Sequence, residues 1–145
     1  MRTALALAAV LWPILLGSAV WTRQSGPSAL SAVTGLVYLA ASKVCHQRPE
    51  RSFLTHGVQW PVCGRCSGLY LAAPVGAIAA LARGRRTNLR LLLAIAAVPT
   101  LITVGVEWLG ILPVTSIARA LAAVPLGAAI AFALVTLVEG ERVKG

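Results

Sequence analysis

The feature that most constrains this chain is a series of long runs without charged side chains. About 20 apolar residues in a helix are enough to cross the hydrocarbon of a bilayer. Only 12% of the residues are charged and 58% are hydrophobic, whereas a soluble domain carries about 25% charged residues. The chain has too little charge to cover a soluble surface, so the sequence predicts an integral membrane protein.

Four of these runs predict transmembrane helices, near residues 4–22, 62–82, 90–111 and 117–138. A further apolar segment, 28–44, predicts an additional helix that either spans the membrane or lies at its interface. The expected fold is an all-α, polytopic membrane helix bundle of four or five transmembrane helices. We expect it to form a single integral membrane domain over residues 1–145.

The first run also has features of a secretory signal peptide. Arg2 precedes an apolar core, and Gly17, Ser18 and Ala19 supply small residues near a possible cleavage site. Trp12 and Trp21, however, suit a helix that is anchored in the membrane. Because more spans follow, we expect an uncleaved first transmembrane helix.

The formal net charge of +9 would suggest nucleic-acid binding in a soluble protein. Here the basic residues flank the apolar runs, where they anchor helices and set topology. We therefore expect the lipid bilayer as partner and no nucleic acid. The densest basic loop, residues 83–86, predicts a cytoplasmic position. The polar loop before 62–82 would then lie on the outer, non-cytoplasmic side, although Lys43 and several arginines there compete with this assignment.

All three cysteines and both histidines lie between residues 45 and 66. Three cysteines and one histidine are an established ligand set for zinc. The sequence therefore predicts a metal site, with zinc as the best candidate, formed by Cys45, His46, Cys63 and Cys66.

The spacing of these ligands is partly favourable. Cys63 and Cys66 would share one face of a helix that contained both. Adjacent residues point in different directions in regular structure, so Cys45 and His46 could bind one ion only where the chain turns. Otherwise His56 would supply the fourth ligand.

The sequence also allows other states of the three thiols. The outer side of a bacterial-type membrane is oxidising, so Cys45 could form a disulfide with Cys63 or Cys66. The Cys63-x-x-Cys66 pair could equally be a redox dithiol. Finally, the three thiols could simply be buried and inert.

Charged residues near the ends of the last two spans predict a second site. A carboxylate inside a membrane span is costly and marks a functional site by default. Glu107 and Arg119 lie at span ends that face the same side as the cysteines. With Arg51 and Arg65 they predict a site for an anion or substrate, because planar guanidinium groups suit a lipid phosphate or a carboxylate. The alternative is a Glu107–Arg119 ion pair that only joins two helices.

Three functions fit these features. The first is a metal-binding membrane protein, and the second is a membrane thiol oxidoreductase or an enzyme acting on a lipid or quinone. The third is a small transporter that uses Glu107 and Arg119. An anionic lipid or a small molecule is the expected ligand, and the sequence leaves open whether the protein is an enzyme.

The strings CHQRPERSF and GVQWPVCGRCSGLYL resemble the DUF2085 family, a group of small predicted membrane proteins from bacteria and archaea. The family pattern is matched by Cys45, His46, Gln47, Pro49, Arg51, Ser52, Phe53, Pro61, Cys63, Arg65, Cys66, Gly68 and Tyr70. The resemblance extends over about residues 40–135. It implies a membrane fold but no reaction, since the family is named for its unknown function.

The resemblance continues into the last two spans. There Glu107, Arg119 and Gly127 are similar to an acidic residue, an arginine and a glycine of the family. The acidic residue of the family is often Asp, so Glu107 departs from the pattern. The resemblance also favours His46 over His56 as the functional histidine.

Overall fold

The computed structural model describes residues 1–25, 31–82 and 87–142. It contains five α-helices, which are α1 (Arg2–Gln24), α2 (Ser31–Ser42), α3 (Gly64–Ala82), α4 (Leu89–Trp108) and α5 (Ser116–Arg142). Between α2 and α3 lie a single 3₁₀ turn (Pro49–Arg51) and two strands, β1 (Ser52–Thr55) and β2 (Val58–Cys63). The prediction of an all-α bundle is confirmed. The basic loop at 83–86 and the first residues of the segment 28–44 lie outside the described residues.

Among the residues that the structure describes, four helical segments are long and apolar enough to cross a membrane: α1, α3, α4 and residues Ser116–Val138 of α5. The surface of α4 is strongly apolar, because Leu101, Ile102 and Val104 are exposed. Such a surface is costly in water and is stable against lipid tails. The protein is therefore a membrane protein with four candidate spans.

The short helix α2 has 12 residues, which corresponds to about 18 Å at 1.5 Å per residue, less than the hydrocarbon thickness of about 30 Å. The Gln24 side chain at the end of α1 donates a hydrogen bond to the Thr55 carbonyl of β1 at 3.0 Å. Because α3 also begins beside these strands, the end of α1 and the start of α3 lie at the same end of the bundle. The helix α2 is shorter than the four candidate spans.

Close contact between α3 and α5 organises the bundle. A Cβ atom at Gly68 would collide with the backbone of Ala120, and one at Gly127 would collide with that of Leu69. Small residues allow membrane helices to approach in this way. The contact brings Arg65, one turn before Gly68, close to Arg119, which precedes Ala120.

The loop between α2 and α3 contains a β-hairpin that the sequence did not predict. The strands are antiparallel, with Ser52 opposite Cys63 and Thr55 opposite Val58. The two turn residues, His56 and Gly57, have φ angles of 50° and 79°, as a tight two-residue hairpin requires. The hairpin places Cys63 at its base, next to the start of α3.

Candidate metal centre and arginine cluster

Three cysteines from three different segments meet at one end of the bundle. Cys45 follows α2, Cys63 ends β2, and Cys66 lies in the first turn of α3. Their sulfur atoms all lie within 4.8 Å of one another. The three cysteines are therefore close enough to hold a metal ion.

Cys45 is the most deeply placed of the three, with 7% of its surface exposed. It packs in an apolar cluster with Leu16 of α1 and Val62 of β2. Its backbone N–H donates to the Ala41 carbonyl at 2.9 Å, and its Sγ accepts a hydrogen bond from the Cys63 backbone N–H at 3.2 Å. The burial and this hydrogen bond fix the position of the sulfur.

Cys63 has an acidic thiol. A hydrogen bond from the Cys66 side chain lowers the pKa of Cys63 to about 5, despite the opposing effect of burial. An ordinary cysteine has a pKa of about 8.5. The thiolate is the form of cysteine that binds metals and acts as a nucleophile. At neutral pH Cys63 is therefore in the form that either role requires.

The two histidines lie at different places. His46 is exposed and borders the same cleft as the cysteines, although its ring nitrogens are not among the mutually close ligand atoms. His56 occupies the hairpin turn, at the other end of β2 from Cys63. At about 3.3 Å per residue this separation is roughly 16 Å. His46 is thus the histidine placed to approach the cysteines, while His56 is too distant.

Gln47 holds the loop in position, a role that the sequence did not reveal. Its φ angle is 49°, and its side-chain amide donates to the carbonyls of Tyr38 and Pro61, each at 2.8 Å. Its own carbonyl accepts from the Gln59 side chain at 2.6 Å. Gln47 thereby connects α2 to β2 beside Cys45. The only indication of this role in the sequence was the place of Gln47 in the Cys-His-Gln pattern of the family.

Three arginines converge on the carboxylate of Glu107, in the last turn of α4. The distances to its oxygens are 2.7 Å for Arg65, 2.9 Å for Arg119 and 3.2 Å for Arg51. The structure thus brings together all four residues of the predicted anion or substrate site. The Glu107–Arg119 ion pair exists, but the carboxylate is shared with guanidinium groups from α3 and from the loop.

The arginine cluster, which consists of Arg51, Arg65 and Arg119, carries more positive charge than Glu107 neutralises. Three guanidinium groups face one carboxylate, and the Arg119 residue is only 8% exposed. The Nε atoms of Arg65 and Arg119 are buried and have no hydrogen-bond partner in the described part of the chain. An unsatisfied buried donor is costly, so an acceptor that reached these atoms would be stabilised.

The cysteines and the arginine cluster open into one cleft of about 420 Å³. Its walls are formed by Val44, Cys45, His46, Gln47, Arg48, Arg51, Cys63, Arg65, Cys66 and Arg119. The two predicted sites are therefore parts of a single polar cavity at one end of an apolar bundle.

The fold and site define a class: a helical membrane protein with a triple-cysteine cluster and an arginine-lined cleft at one end. The chain belongs to the family of predicted membrane proteins DUF2085, whose family model matches residues 45–133. The matched region runs from Cys45 to beyond Arg119 and so includes every residue that lines the cleft except Val44.

Two relatives show similarity over short segments. An uncharacterised protein of Methanothermobacter thermautotrophicus is 53% identical over 30 residues, which are 21% of this chain and 27% of the relative. An uncharacterised protein of Methanocaldococcus jannaschii is 45% identical over 42 residues, which are 29% of this chain and 27% of the relative. The matches thus span about a quarter of each relative's length. No solved structure matches this chain.

Proposed function

We propose that this protein is a metal-binding membrane protein in which Cys45, Cys63 and Cys66 hold one zinc ion. The observation that carries the proposal is the approach of three sulfur atoms to within 4.8 Å of one another. Zinc–sulfur bonds of about 2.3 Å in a tetrahedron correspond to sulfur–sulfur distances of about 3.8 Å. Only a small inward movement of the side chains would form the site.

The chemistry of the ligands supports zinc. Thiolates are soft ligands that select zinc, copper(I) or iron–sulfur clusters over magnesium and calcium. His46, at the edge of the cleft, is the proposed fourth ligand, as in the Cys₃His sites of structural zinc. The bound ion would join the loop, β2 and α3, and would stabilise the folded protein.

We further propose that the cleft faces the outer side of the membrane. The end of α3 and the start of α4 lie at the opposite end of the bundle, and the sequence between them contains Arg83, Arg85 and Arg86. Cytoplasmic loops carry such an excess of basic residues. Two of the competing arginines, Arg51 and Arg65, contact Glu107, which offsets part of their charge.

Thiol labelling of intact cells tests this orientation. His56→Cys at the hairpin turn and Thr87→Cys before α4 introduce exposed thiols at opposite ends of the bundle. A membrane-impermeant maleimide should label the His56→Cys variant more strongly than the native chain. It should label the Thr87→Cys variant no more strongly than the native chain. Labelling of the Thr87→Cys variant alone would reverse the proposed orientation.

Metal titration of matched variants tests the ligand set. Chelator-treated protein in detergent is titrated with zinc against a competing indicator. Cys63→Ser should abolish tight binding, because a hydroxyl is a poor ligand for zinc. His46→Ala should weaken binding, whereas the matched His56→Ala should not. Equal affinity of the native chain and Cys63→Ser would refute the metal site.

A thiol oxidoreductase is the second candidate, favoured by the acidic thiol of Cys63 in a Cys-x-x-Cys pair. The lowered pKa of about 5 is typical of reactive cysteines in such motifs. In that case the purified protein would contain no metal, and Cys63 and Cys66 would become alkylated only after reduction.

A further inference from the structure

We propose that the cleft also binds a phosphate group, which is held by Arg51, Arg65 and Arg119. This goes beyond the metal site and does not depend on it, because the arginine cluster forms a different wall of the same cavity. Phosphate here means the chemical group, whose source is either the headgroup of an anionic lipid or free inorganic phosphate.

The charge of the arginine cluster favours an anion. Glu107 neutralises one of the three guanidinium groups that contact it, which leaves two positive charges in excess. A zinc ion bound by three thiolates would carry a net charge of minus one, the same charge as a single thiolate in the metal-free cleft, and either would offset only one of these. The cleft therefore attracts an anion both with and without the metal.

Two buried donors of the cluster, the Nε atoms of Arg65 and Arg119, also favour an acceptor at this site. Arg119 is more than nine-tenths buried, and its Nε, like that of Arg65, has no hydrogen-bond partner among the described residues. Both side chains border the cleft. A phosphate presents several acceptor oxygens and forms strong, charge-assisted hydrogen bonds with arginine. It would satisfy donors that Glu107 leaves unpaired.

The size of the cleft and the origin of its arginines also fit a phosphate group. The cleft volume of about 420 Å³ falls within the range of ligand pockets, about 300–1,000 Å³, and exceeds the space that a metal-bound water needs. The three arginines come from the loop, α3 and α5. Donors from three segments can contact different oxygens of one phosphate group, which has more acceptor oxygens than a carboxylate.

Two binding measurements on the full chain test the proposal. Detergent-purified protein is titrated calorimetrically with inorganic phosphate, with acetate as the comparison anion. The same protein is also reconstituted in nanodiscs of phosphatidylcholine with or without phosphatidic acid, and the co-purified lipid is quantified after extraction. Saturable binding of phosphate, or selective retention of phosphatidic acid, supports the proposal and identifies the source.

Matched variants decide whether the cleft is responsible. Arg51→Gln removes a partly exposed guanidinium of the cluster and should weaken binding about tenfold, as the loss of one charge-assisted hydrogen bond implies. Arg90→Gln removes the same charge at the opposite end of α4 and should leave binding within about twofold, since distant exposed charges are screened. Zinc content is measured on each sample, so that loss of the metal site is recognised separately.

Three results would overturn the phosphate site. The first is the absence of binding to both phosphate and phosphatidic acid, and the second is equal affinity for acetate and phosphate. The third is an equal effect of Arg51→Gln and Arg90→Gln. Glu107→Gln provides an independent check, because removal of the competing carboxylate should strengthen phosphate binding in the fraction that remains folded.

Discussion

Glu107 on α4 and Arg119 on α5 form an ion pair of 2.9 Å across the connection between the two helices, and the same carboxylate also contacts Arg65 and Arg51. One acidic side chain thus joins α3, α4, α5 and the loop at the end of the bundle that contains the cysteines.

Glu107→Gln should destabilise the protein by about 1–3 kcal/mol, because it leaves partly buried guanidinium groups without their charged partner. Thermal unfolding in detergent measures the effect. Glu50→Gln is the matched control, since the exposed Arg48–Glu50 pair at 3.9 Å should contribute no more than about 1 kcal/mol. Equal loss in both variants would show that the cluster has no special role.

The Glu107→Gln variant also addresses the transporter hypothesis. A transporter that uses Glu107 should lose substrate flux while it keeps its metal, because the carboxylate is not among the close metal ligands. Flux into proteoliposomes is the measurement. A folded variant with unchanged flux would remove Glu107 from any transport path.

Gly68→Ala should destabilise the bundle by about 1–3 kcal/mol, since the added methyl group collides with the backbone of Ala120 and forces α3 from α5. Gly105→Ala on α4 is the control, because nothing lies within 4 Å of a Cβ there. The control should be neutral or slightly stabilising, as alanine favours a helix more than glycine does. If both variants unfold alike, the close contact between α3 and α5 does not support the fold.

Gln47→Ala should weaken zinc binding about 10- to 100-fold, the usual effect of removing a group that orients metal ligands. The variant loses two hydrogen bonds that hold the loop against α2 and β2. Competition with a zinc indicator measures the affinity. Gln24→Ala, which loses one hydrogen bond near the hairpin turn, should retain native affinity, and a similar loss in both variants would contradict the role of Gln47.

The thiol of Cys63 should react rapidly with iodoacetamide in metal-free protein well below neutral pH. The lowered pKa of about 5 means that the thiolate forms as the pH rises through about 5, so the rate should level off above that value. Cys66→Ala removes the hydrogen-bond donor and should move the inflection upward, toward the ordinary value of about 8.5. Alkylation of Cys63 followed by mass spectrometry provides both profiles, and an inflection unchanged by Cys66→Ala would contradict the stated cause.

The transmembrane helices were predictable because lipid imposes a strong local requirement: a long run without charge is nearly always a span. The hairpin was not predictable, because β1 has only four residues and short strands depend on contacts that the local pattern does not encode. His56-Gly57 resembles a hairpin turn signal only in retrospect, since it is not one of the strongest turn dipeptides.

The members of the site were predictable from residue chemistry, but their arrangement was not. Glu107 and Arg119 were predicted as site residues because they are charged and lie near span ends. The hydrogen bond between Glu107 and Arg65, however, joins residues that are 42 positions apart. Its existence depends on the close packing of α3 against α5. In the same way, the separation of His56 from the cysteines follows from the hairpin, which the sequence did not reveal.

The most direct test of the proposed metal centre combines elemental analysis with thiol counting on the native, detergent-purified protein. We expect about one zinc per chain, and the three thiols should resist alkylation until a chelator removes the ion. Protein without metal, in which two of the three cysteines are alkylated only after reduction, would contradict the metal site and indicate a disulfide in its place.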